Sequence, residues 1–469
     1  MDREDKNQGI DDTISLEEIA EIVEMYIQGD DTAPIYDGYD VSSKDVEKVN
    51  IERNVNDNPK KGVAKRKATK EKKSTKEEAE TKIVDKKKVS YRSSYDYLKR
   101  RYRAVDMLIG LSMIAIILSS GVGIADEMPK FLMISKWNGI SFGDLGVPVL
   151  VLALCFMIPT EIEFYLKNRL DFKKIAIKKL KIGGSLILMG VIFNFIFSGF
   201  SANFRIMGIL QFIGIIYMLV SLIYVVFKRF KFKQNVIGII LIIIGVIGTI
   251  GYFIVSKNFG YDMNTCLAYV VDSKVLSHNF IGFERFGIIS TLSAVFAGVV
   301  VAGGGCFVCD KRSSSKDKSI RILIVGMALI IVSLILERKC PYNVNIWSPS
   351  FVMIISGGFL IVLSGMLVIF DDMKIKGLNL ISSPFIIFGA SPIFLLAINE
   401  ILVNGLFKLQ VYSVSLARHI NLDDWIVVDL LSEVFGQGSR SVAFALVYLA
   451  LCFAMMLFMY GKRIFIRFK

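Results

Sequence analysis

The sequence offers few side chains for metal, redox or disulfide chemistry. Its 469 residues include only six cysteines and two histidines, and the cysteines follow no framework spacing. Cys306 and Cys309 form a CxxC pair, but a metal or redox site there needs a second ligand pair, which the sequence lacks. We therefore expect no metal site. We also expect no cleavable signal peptide, because the first hundred residues are polar.

Long apolar segments dominate the rest of the chain, of which 53% is hydrophobic. A hydrocarbon layer of roughly 30 Å is crossed by about 20 apolar residues of helix. The pattern predicts an all-α, polytopic transmembrane bundle over residues 98–469. About ten spans are expected, at 105–122, 143–164, 182–200, 206–227, 235–255, 286–308, 319–337, 348–370, 381–404 and 440–460. Within the ninth span, Pro384, Gly389 and Pro392 favour a break in the helix.

The net charge of +13 is explained by topology and does not call for nucleic acid as a partner. From residue 101 onward, alternate loops hold 24 and 11 of the 35 lysines and arginines. By the positive-inside rule the richer set is cytoplasmic. This predicts a multi-pass protein of the cell (plasma) membrane with both termini in the cytoplasm and the lipid bilayer as its partner.

Residues 1–97 form a polar tail whose charge is polarised. Residues 1–50 carry a net charge of −11 and residues 51–100 carry +9. A short helix at about 15–28 has one apolar face, and it either docks a cytoplasmic protein or folds back on its own chain. Residues 58–88 are rich in lysine and poor in large apolar side chains, which predicts a disordered linker attracted to anionic lipid.

Polar side chains at membrane depth are costly and mark function by default. Asp106 opens the first predicted span, and Asp144 lies near the outer end of the second. Gln211 is at least one turn inside an apolar segment and needs a partner in the bundle, so an interhelical hydrogen bond and a site role are both open. Glu161 and Glu163 are most simply partners for the basic loop that follows them.

The two histidines, His278 and His419, fall in the long predicted outer loops 256–285 and 405–437. Histidine is the side chain most readily poised as a general base near neutral pH, although a lone loop histidine is also an ordinary surface residue. The same face is predicted to present groups suited to a sugar-like ligand: Trp137, Asn138, Asp144, Glu284, Trp347, Asp423, Asp424 and Trp425.

The fourth predicted span opens with a distinctive run. Residues 205–213 read Arg-Ile-Met-Gly-Ile-Leu-Gln-Phe-Ile, and Tyr217 follows. This run resembles the Arg-Ile-Pro-Gly-Val-Leu-Gln-Arg-Ile…Tyr signature of the heparan-α-glucosaminide N-acetyltransferase family. Residues 137–148 are similar to that family's Trp-Asn/His-Gly-Leu-Thr…Asp-Leu…Pro stretch. Residues 287–298 resemble its Gly-Leu-Leu-Ser-Thr-Leu-Pro-Ala…Gly segment, and residues 347–351 resemble its Trp-Thr/Ser-x-Ser-Phe element.

Further agreement comes from Pro384 with Phe388 and Gly389 and from the ending at 462–466, so the resemblance covers about 101–469 in order. It implies a membrane bundle that takes an acyl group from cytoplasmic acetyl-CoA and delivers it to an amine or hydroxyl of a glycan or cell-envelope polymer across the membrane. Acetyl-CoA is the only cofactor implied.

The resemblance also suggests roles for individual residues. Trp137 and Asn138 are expected to contact the acceptor, and Trp347 is assigned to substrate binding with them. Arg205 and Gln211 are expected to organise the path of the acyl group.

Four positions depart from the family's pattern. The family's catalytic histidine, three residues before the outer-loop Trp, corresponds to Ile134, and an asparagine that closes the first span corresponds to Ser120. Ile109 stands where the family has the Arg of Asp-x-x-Arg-Gly, and Ser391 where it has the Asn of a late Gly-Met-Asn. Because isoleucine cannot accept a proton, either a catalytic base is supplied elsewhere or the chain is a diverged member that binds a ligand without transferring a group.

Two residues are candidates for that base, Asp144 and His278, and a carboxylate needs burial to serve efficiently near neutral pH. An alternative is a catalytically inactive relative that acts as a membrane scaffold or ligand-binding component of an envelope machine. A transporter is a second alternative. It would use glycine-broken spans, which 303–305 and 357–358 allow, but no internal repeat supports it.

Overall fold

The structure is a computed structural model that describes residues 102–462, apart from 122, 202, 281, 284, 311–312, 374–377 and 437. The helix predicted at 15–28 and the linker predicted at 58–88 lie outside the described residues, as does Glu284.

Most of the described chain is helical. Its first half contains α1 (Arg103–Ser120), α2 (Phe142–Lys167), α3 (Phe172–Phe197), α4 (Ile209–Arg229) and α5 (Gln234–Ser256). Its second half contains α6 (Leu267–Leu276), α7 (Ile288–Val308), α8 (Ser315–Glu337), α9 (Pro349–Met366), α10 (Leu378–Gly389), α11 (Pro392–Asn404), α12 (Leu422–Trp425) and α13 (Arg440–Gly461). Strands β1 (Gln410–Ser413) and β2 (Arg418–Asn421) pair as an antiparallel hairpin before α12.

Among the described residues, nine helices are long and apolar enough to cross a membrane. They are α1 to α5, α7, α8, α13, and α9 together with a π-helical turn that extends it to Asp372. The predicted polytopic α-helical class is therefore confirmed. Helices α10 and α11 form one further candidate span, bent by 67°. The break predicted within 381–404 is confirmed and lies between Gly389 and Pro392.

The glycine runs 303–305 and 357–358 lie inside the continuous helices α7 and α9. The span breaks that a transporter was expected to have at these runs are therefore absent from these two described helices. At Gly303 and Gly357 the missing side chain lets another helix backbone approach closely.

The helix ends alternate between two faces of the bundle. We name the end with the starts of α1, α3, α5 and α8 the basic face, because its connections hold most of the lysines and arginines. The opposite end is the loop face. At the basic face the Arg103 backbone N–H donates to Asp371 Oδ1 at 3.0 Å, which joins α1 to the end of α9's extension. At the loop face Arg440 Nε donates to Glu127 Oε2 at 2.9 Å.

Three peripheral helices are attached through facing glycines. In the apolar windows of α3, α5 and α8 only 22–28% of residues are buried, against 89% in α7. The facing pairs are Gly183 with Gly214 (α3 with α4), Gly238 with Gly303 (α5 with α7) and Gly326 with Gly357 (α8 with α9). A Cβ atom at Gly238 would lie 2.8 Å from the Gly303 carbonyl oxygen, so these crossings require glycine.

Carboxylates from distant segments hold the starts of two helices. Asp371 Oδ2 accepts a hydrogen bond from the Ala104 backbone N–H at 3.1 Å, in the first turn of α1. Asp272 Oδ1 accepts one from the Ile288 backbone N–H at 3.0 Å, at the start of α7. A carboxylate at a helix N-terminus satisfies otherwise unpaired N–H groups and opposes the positive end of the helix dipole.

Candidate functional site

The loop between α1 and α2 is joined to the loop between α8 and α9 at the loop face. The Gly139 backbone N–H donates to the Tyr342 carbonyl at 2.8 Å, and the Asn343 amide donates to Asn138 Oδ1 at 3.1 Å. Asn345 Nδ2 donates a hydrogen bond to the Trp137 carbonyl at 3.4 Å. Of the two residues predicted to contact an acceptor, the Asn138 side chain is exposed and the Trp137 side chain is half-buried.

Asn343 organises the second of these loops from a fully buried position. Its Oδ1 accepts hydrogen bonds from the backbone N–H groups of Asn345 at 2.8 Å and Ile346 at 3.2 Å. The following residue, Trp347, has φ +46, in the left-handed region. Ser348 then caps α9, accepting from the Phe351 backbone N–H at 3.4 Å.

Trp137 binds the third long loop, between α5 and α7. Its indole Nε1 donates to the Tyr261 carbonyl at 2.9 Å, and the Phe283 ring packs edge-on against it with centroids 4.9 Å apart. One edge of the indole is therefore used in joining loops. Its predicted contact with an acceptor stays a prediction.

Trp347 lies in the core and not on the surface, with 1% of its side chain exposed. Its ring is 5.5 Å from the Phe212 ring and 5.6 Å from the Phe351 ring, centroid to centroid. Its carbonyl accepts a hydrogen bond from Ser293 Oγ at 2.7 Å. The substrate-binding role stays a prediction, and the described geometry makes Trp347 the point where α4, α7 and α9 meet.

Asp144 is fully buried in the first turn of α2. Its Oδ2 accepts from the Ser135 backbone N–H at 3.1 Å, the Ser141 backbone N–H at 3.0 Å and Ser141 Oγ at 2.9 Å. Arg285 Nη2 lies 3.5 Å from Oδ1. These contacts hold the loop before α2 against the first turn of that helix. The catalytic role of Asp144 stays a prediction, and the geometry favours a positioning role for it.

Arg285 is the counter-charge of this carboxylate, and it was not among the predicted site residues. Burial lowers the pKa of Arg285, and the Asp144 carboxylate opposes that shift. In the sequence, Arg285 is a lone arginine just before the apolar segment of α7. Such a position is typical of an ordinary loop residue.

His278, the other candidate base, is exposed on a 3₁₀ turn, Ser277–Asn279, that follows α6. Asn279 Nδ2 donates to the Phe204 carbonyl at 2.8 Å, which fixes this turn to the loop before α4. Within the described residues no hydrogen bond or ion pair joins His278 to Asp144. The two candidates are therefore not brought together as a pair.

The Gln211 side chain forms a hydrogen bond within its own segment of the chain. Its Nε2 donates to the Ile206 carbonyl at 2.9 Å in the non-helical stretch before α4, and its amide lies against Gly190 of α3, where a Cβ atom would be 2.3 Å from Oε1. Asn194 Nδ2 donates to the Arg205 carbonyl at 2.9 Å from the same helix. The interhelical contact is thus one of packing, and the predicted site role stays a prediction.

Arg205 is half-buried and interacts electrostatically with Glu400 of α11. The positions that depart from the family's pattern have different surroundings. Ile134 is exposed, whereas Ile109 is fully buried in α1. Ser120 Oγ donates to Asn399 Oδ1 at 3.0 Å.

That contact belongs to a polar cluster near the loop end of α1. Asn399 is buried, and Tyr448 OH of α13 also donates to its Oδ1, at 2.9 Å. Asn399 was not predictable as a site residue, because a single asparagine in an apolar helix gives no sign of which helices it joins.

The outer hairpin carries the second histidine. His419 on β2 stands opposite Tyr412 on β1, with ring centroids 5.4 Å apart. In the following α12, burial and the neighbouring Asp423 charge raise the pKa of Asp424. Both rings of the hairpin pair are exposed.

Buried charges also meet near the basic face. Lys179 of α3, fully buried, forms an ion pair with Glu161 of α2. The hydroxyls of Tyr165 and Tyr217 each donate to Glu161 at 2.7 Å. The expectation that Glu161 pairs with the following basic segment is confirmed.

Glu163 forms an ion pair with Lys228, at the end of α4. Lys228 Nζ donates to Gln234 Oε1 at 3.0 Å, and Gln234 Nε2 donates to Tyr224 OH at 2.6 Å. This chain of contacts ties α2, α4 and α5 together at the basic face.

Cys306 and Cys309 are both free thiols. Cys309 Sγ lies 3.3 Å from Thr160 Oγ1, and burial raises the pKa of Cys309 to about 11. A thiol in that state is a poor nucleophile and a poor metal ligand near neutral pH. In the described part of the chain no three His, Cys, Asp or Glu side chains are grouped to hold a metal ion.

Comparison with known proteins adds no assignment. No protein-family model matches the chain, and no curated protein matches it.

Proposed function

We propose that this chain is an integral membrane acyltransferase. It takes an acetyl or other acyl group from cytoplasmic acyl-CoA and delivers it to a glycan or cell-envelope acceptor on the other side of the plasma membrane. The basic face and both termini lie in the cytoplasm, following the positive-inside rule. The loop face presents the acceptor site.

The observation that carries the proposal is that the segments resembling the acetyltransferase family meet in space. Segment 205–217 reaches segment 347–351 through the Phe212 and Trp347 rings. Segment 287–298 reaches it through Ser293, whose hydroxyl donates to the Trp347 carbonyl.

Segment 137–148 joins the loop that precedes Trp347, through the pair Asn138 and Asn343. The later element at Gly389 packs on the first span, where a Cβ atom would be 2.2 Å from the Asp106 carbonyl. A shared site requires that the segments resembling the family lie next to each other in the fold, although they are far apart in sequence. This proximity supports the resemblance.

Within this proposal the two candidate bases, His278 and Asp144, have different roles. His278 is exposed at the loop face and is free to accept a proton from an acceptor amine or hydroxyl. Asp144, held by Ser135, Ser141 and Arg285, fixes the loop that carries Trp137.

A labelled transfer assay tests the proposal. Membranes that contain the full chain are incubated with acetyl-labelled CoA, and label in endogenous polymer is counted. His278→Ala should abolish transfer, and Asp144→Asn should reduce it by disordering the acceptor loop. His419→Ala is the matched control, because it removes the other loop-face imidazole, and it should transfer normally. Transfer by His278→Ala at the unaltered rate would reject the assignment of the base.

One observation favours the alternative of a catalytically inactive scaffold or ligand-binding relative. Ile134 stands at the position of the family's histidine, and Asp144 is occupied by its donors. In that case the wild-type chain transfers no label to any polymer. Deletion of residues 1–95, which are proposed to recruit a cytoplasmic partner, then destroys the phenotype while the membrane domain still inserts.

A further inference from the structure

The bent pair α10 and α11 places the start of a helix, α11, among buried residues. The two helices meet at 67°, and Ala390 and Ser391 lie between them. Helix α11 begins with Pro392 at its first position and runs for 13 residues. The first N–H groups of a helix have no acceptor inside it and form the positive end of its dipole.

Ser391 occupies the N-cap position of α11 but does not cap it. A serine at this position ordinarily accepts a hydrogen bond from the second or third helical N–H, and the Ser391 side chain makes no such bond. The side chain is 2% exposed, and its Oγ has no hydrogen-bond partner among the described residues. A buried hydroxyl without a partner is costly, and at the start of a helix it can donate to a ligand atom beside the helical N–H groups.

The break lies inside the bundle and nearer the basic face. Gly389 packs on the backbone of Asp106, one turn from the start of α1. Two turns beyond the break, Asn399 of α11 bonds to Ser120 at the other end of α1. A ligand that enters from the basic face therefore reaches the break before it reaches the acceptor loops.

The donors at the break fit a neutral oxygen acceptor better than an anion. The hydroxyl of Ser391 and the positive end of α11 both favour an oxygen atom with lone pairs. The turn of α1 against which Gly389 packs carries the buried Asp106 carboxylate, and a second negative charge nearby would be repelled. A thioester carbonyl is polar, uncharged and able to accept more than one hydrogen bond.

We infer that the break before α11 binds the acyl carbonyl oxygen of the donor, with the Ser391 hydroxyl and the backbone N–H groups of Ile393 and Phe394 as hydrogen-bond donors. This inference rests on the proposed function and names the part of that site that recognises the acyl group. It requires the chain to distinguish acetyl-CoA from free CoA, because only acetyl-CoA carries the carbonyl.

Equilibrium binding of acetyl-CoA and of CoA to the purified full chain tests it. The wild type should bind acetyl-CoA more tightly than CoA. Ser391→Ala should weaken acetyl-CoA binding by about threefold to tenfold, the ordinary worth of one hydrogen bond, and leave CoA binding unchanged. Ser391→Thr keeps the hydroxyl and should retain the preference. Ser356→Ala is the matched control, because Ser356 is another buried hydroxyl without a partner, within the unbroken helix α9.

The results of these binding measurements distinguish a failure of the inference from a failure of the proposed function. If the wild type prefers acetyl-CoA and Ser391→Ala keeps that preference, the inference is wrong and the proposed function stands. If Ser391→Ala weakens both ligands equally, Ser391 has a structural role only, and the inference is again wrong. If the wild type binds neither acetyl-CoA nor CoA and transfers no acyl group, the proposed function fails and the inference fails with it.

Discussion

The Asn343 side-chain amide donates a hydrogen bond to Asn138 Oδ1 at 3.1 Å, across 205 residues of sequence. The two ends of this contact differ in their surroundings, since Asn343 is fully buried and Asn138 is exposed. This pair is the clearest link between the loop predicted to contact an acceptor and the core around Trp347. Its energetics can be measured from either side.

Replacing Asn343 should cost more stability than replacing Asn138. Asn343→Ala leaves the buried N–H groups of Asn345 and Ile346 without their acceptor, a loss of about 1–3 kcal/mol. Asn138→Ala removes one partly exposed bond and should cost about 0.5–1.5 kcal/mol. Thermal unfolding of the two purified variants in one detergent compares them, and equal losses would contradict the central role of Asn343.

The buried pair of Lys179 and Glu161 should behave as a unit. Lys179→Met leaves the Glu161 carboxylate without its counter-charge and should destabilise the protein by about 3–5 kcal/mol. The double variant Lys179→Met with Glu161→Gln should recover most of that loss. Lys174→Met is the control: Lys174 pairs with Asp171 at an exposed site, where such pairs are worth about 0–1 kcal/mol. Thermal unfolding of all three provides the comparison, and a double variant no more stable than Lys179→Met would reject the coupling.

The facing glycines should not tolerate a methyl group. Gly238→Ala would place Cβ 2.8 Å from the Gly303 carbonyl oxygen and 3.1 Å from Cys306 Cβ, so α5 must shift, at about 1–3 kcal/mol. Gly251→Ala, on the same helix, meets nothing within 4 Å and should be neutral or slightly stabilising. The monodisperse fraction in size-exclusion chromatography reports the difference, and indistinguishable variants would show that this crossing is looser than described.

The ion pair at the loop face makes stability depend on pH. The hydrogen bond from Arg440 holds the pKa of Glu127 below its ordinary value of 4.5. A carboxyl group with a depressed folded-state pKa stabilises the fold above that ordinary value, and the contribution is lost as the pH falls through the folded value. The melting temperature of the wild type should therefore fall more steeply below about pH 4.5 than that of Glu127→Gln. Parallel pH profiles would show that this pair contributes nothing.

The membrane class was predictable from sequence because it depends on local composition. Each span is recognisable as a run of about 20 apolar residues. Pro384, Gly389 and Pro392 predicted the break in the ninth span, because proline and glycine change the conformation of their own backbone. The start of α3 differs from the predicted one: the helix begins at Phe172 and not near 182. Its first turns are basic and amphipathic, which a search for apolar blocks does not detect.

The roles of single polar residues were not predictable in the same way. Trp347 and Asp144 read as site residues in the sequence, and the described geometry places the first in the core and the second in a helix start. Whether a tryptophan or an aspartate is exposed depends on which loops cross above it. Lys179 looked like one more lysine of a basic loop, and its burial depends on the carboxylate that α2 places opposite it.

The sidedness of acyl transfer tests the proposed function most directly. Sealed inside-out vesicles that contain the full chain are given labelled acetyl-CoA on the outside only, with envelope polymer enclosed in the lumen. The account predicts label on the enclosed polymer, which becomes accessible to a glycan hydrolase only after the vesicles are opened. No labelled polymer, or label accessible before opening, would contradict transfer across the membrane.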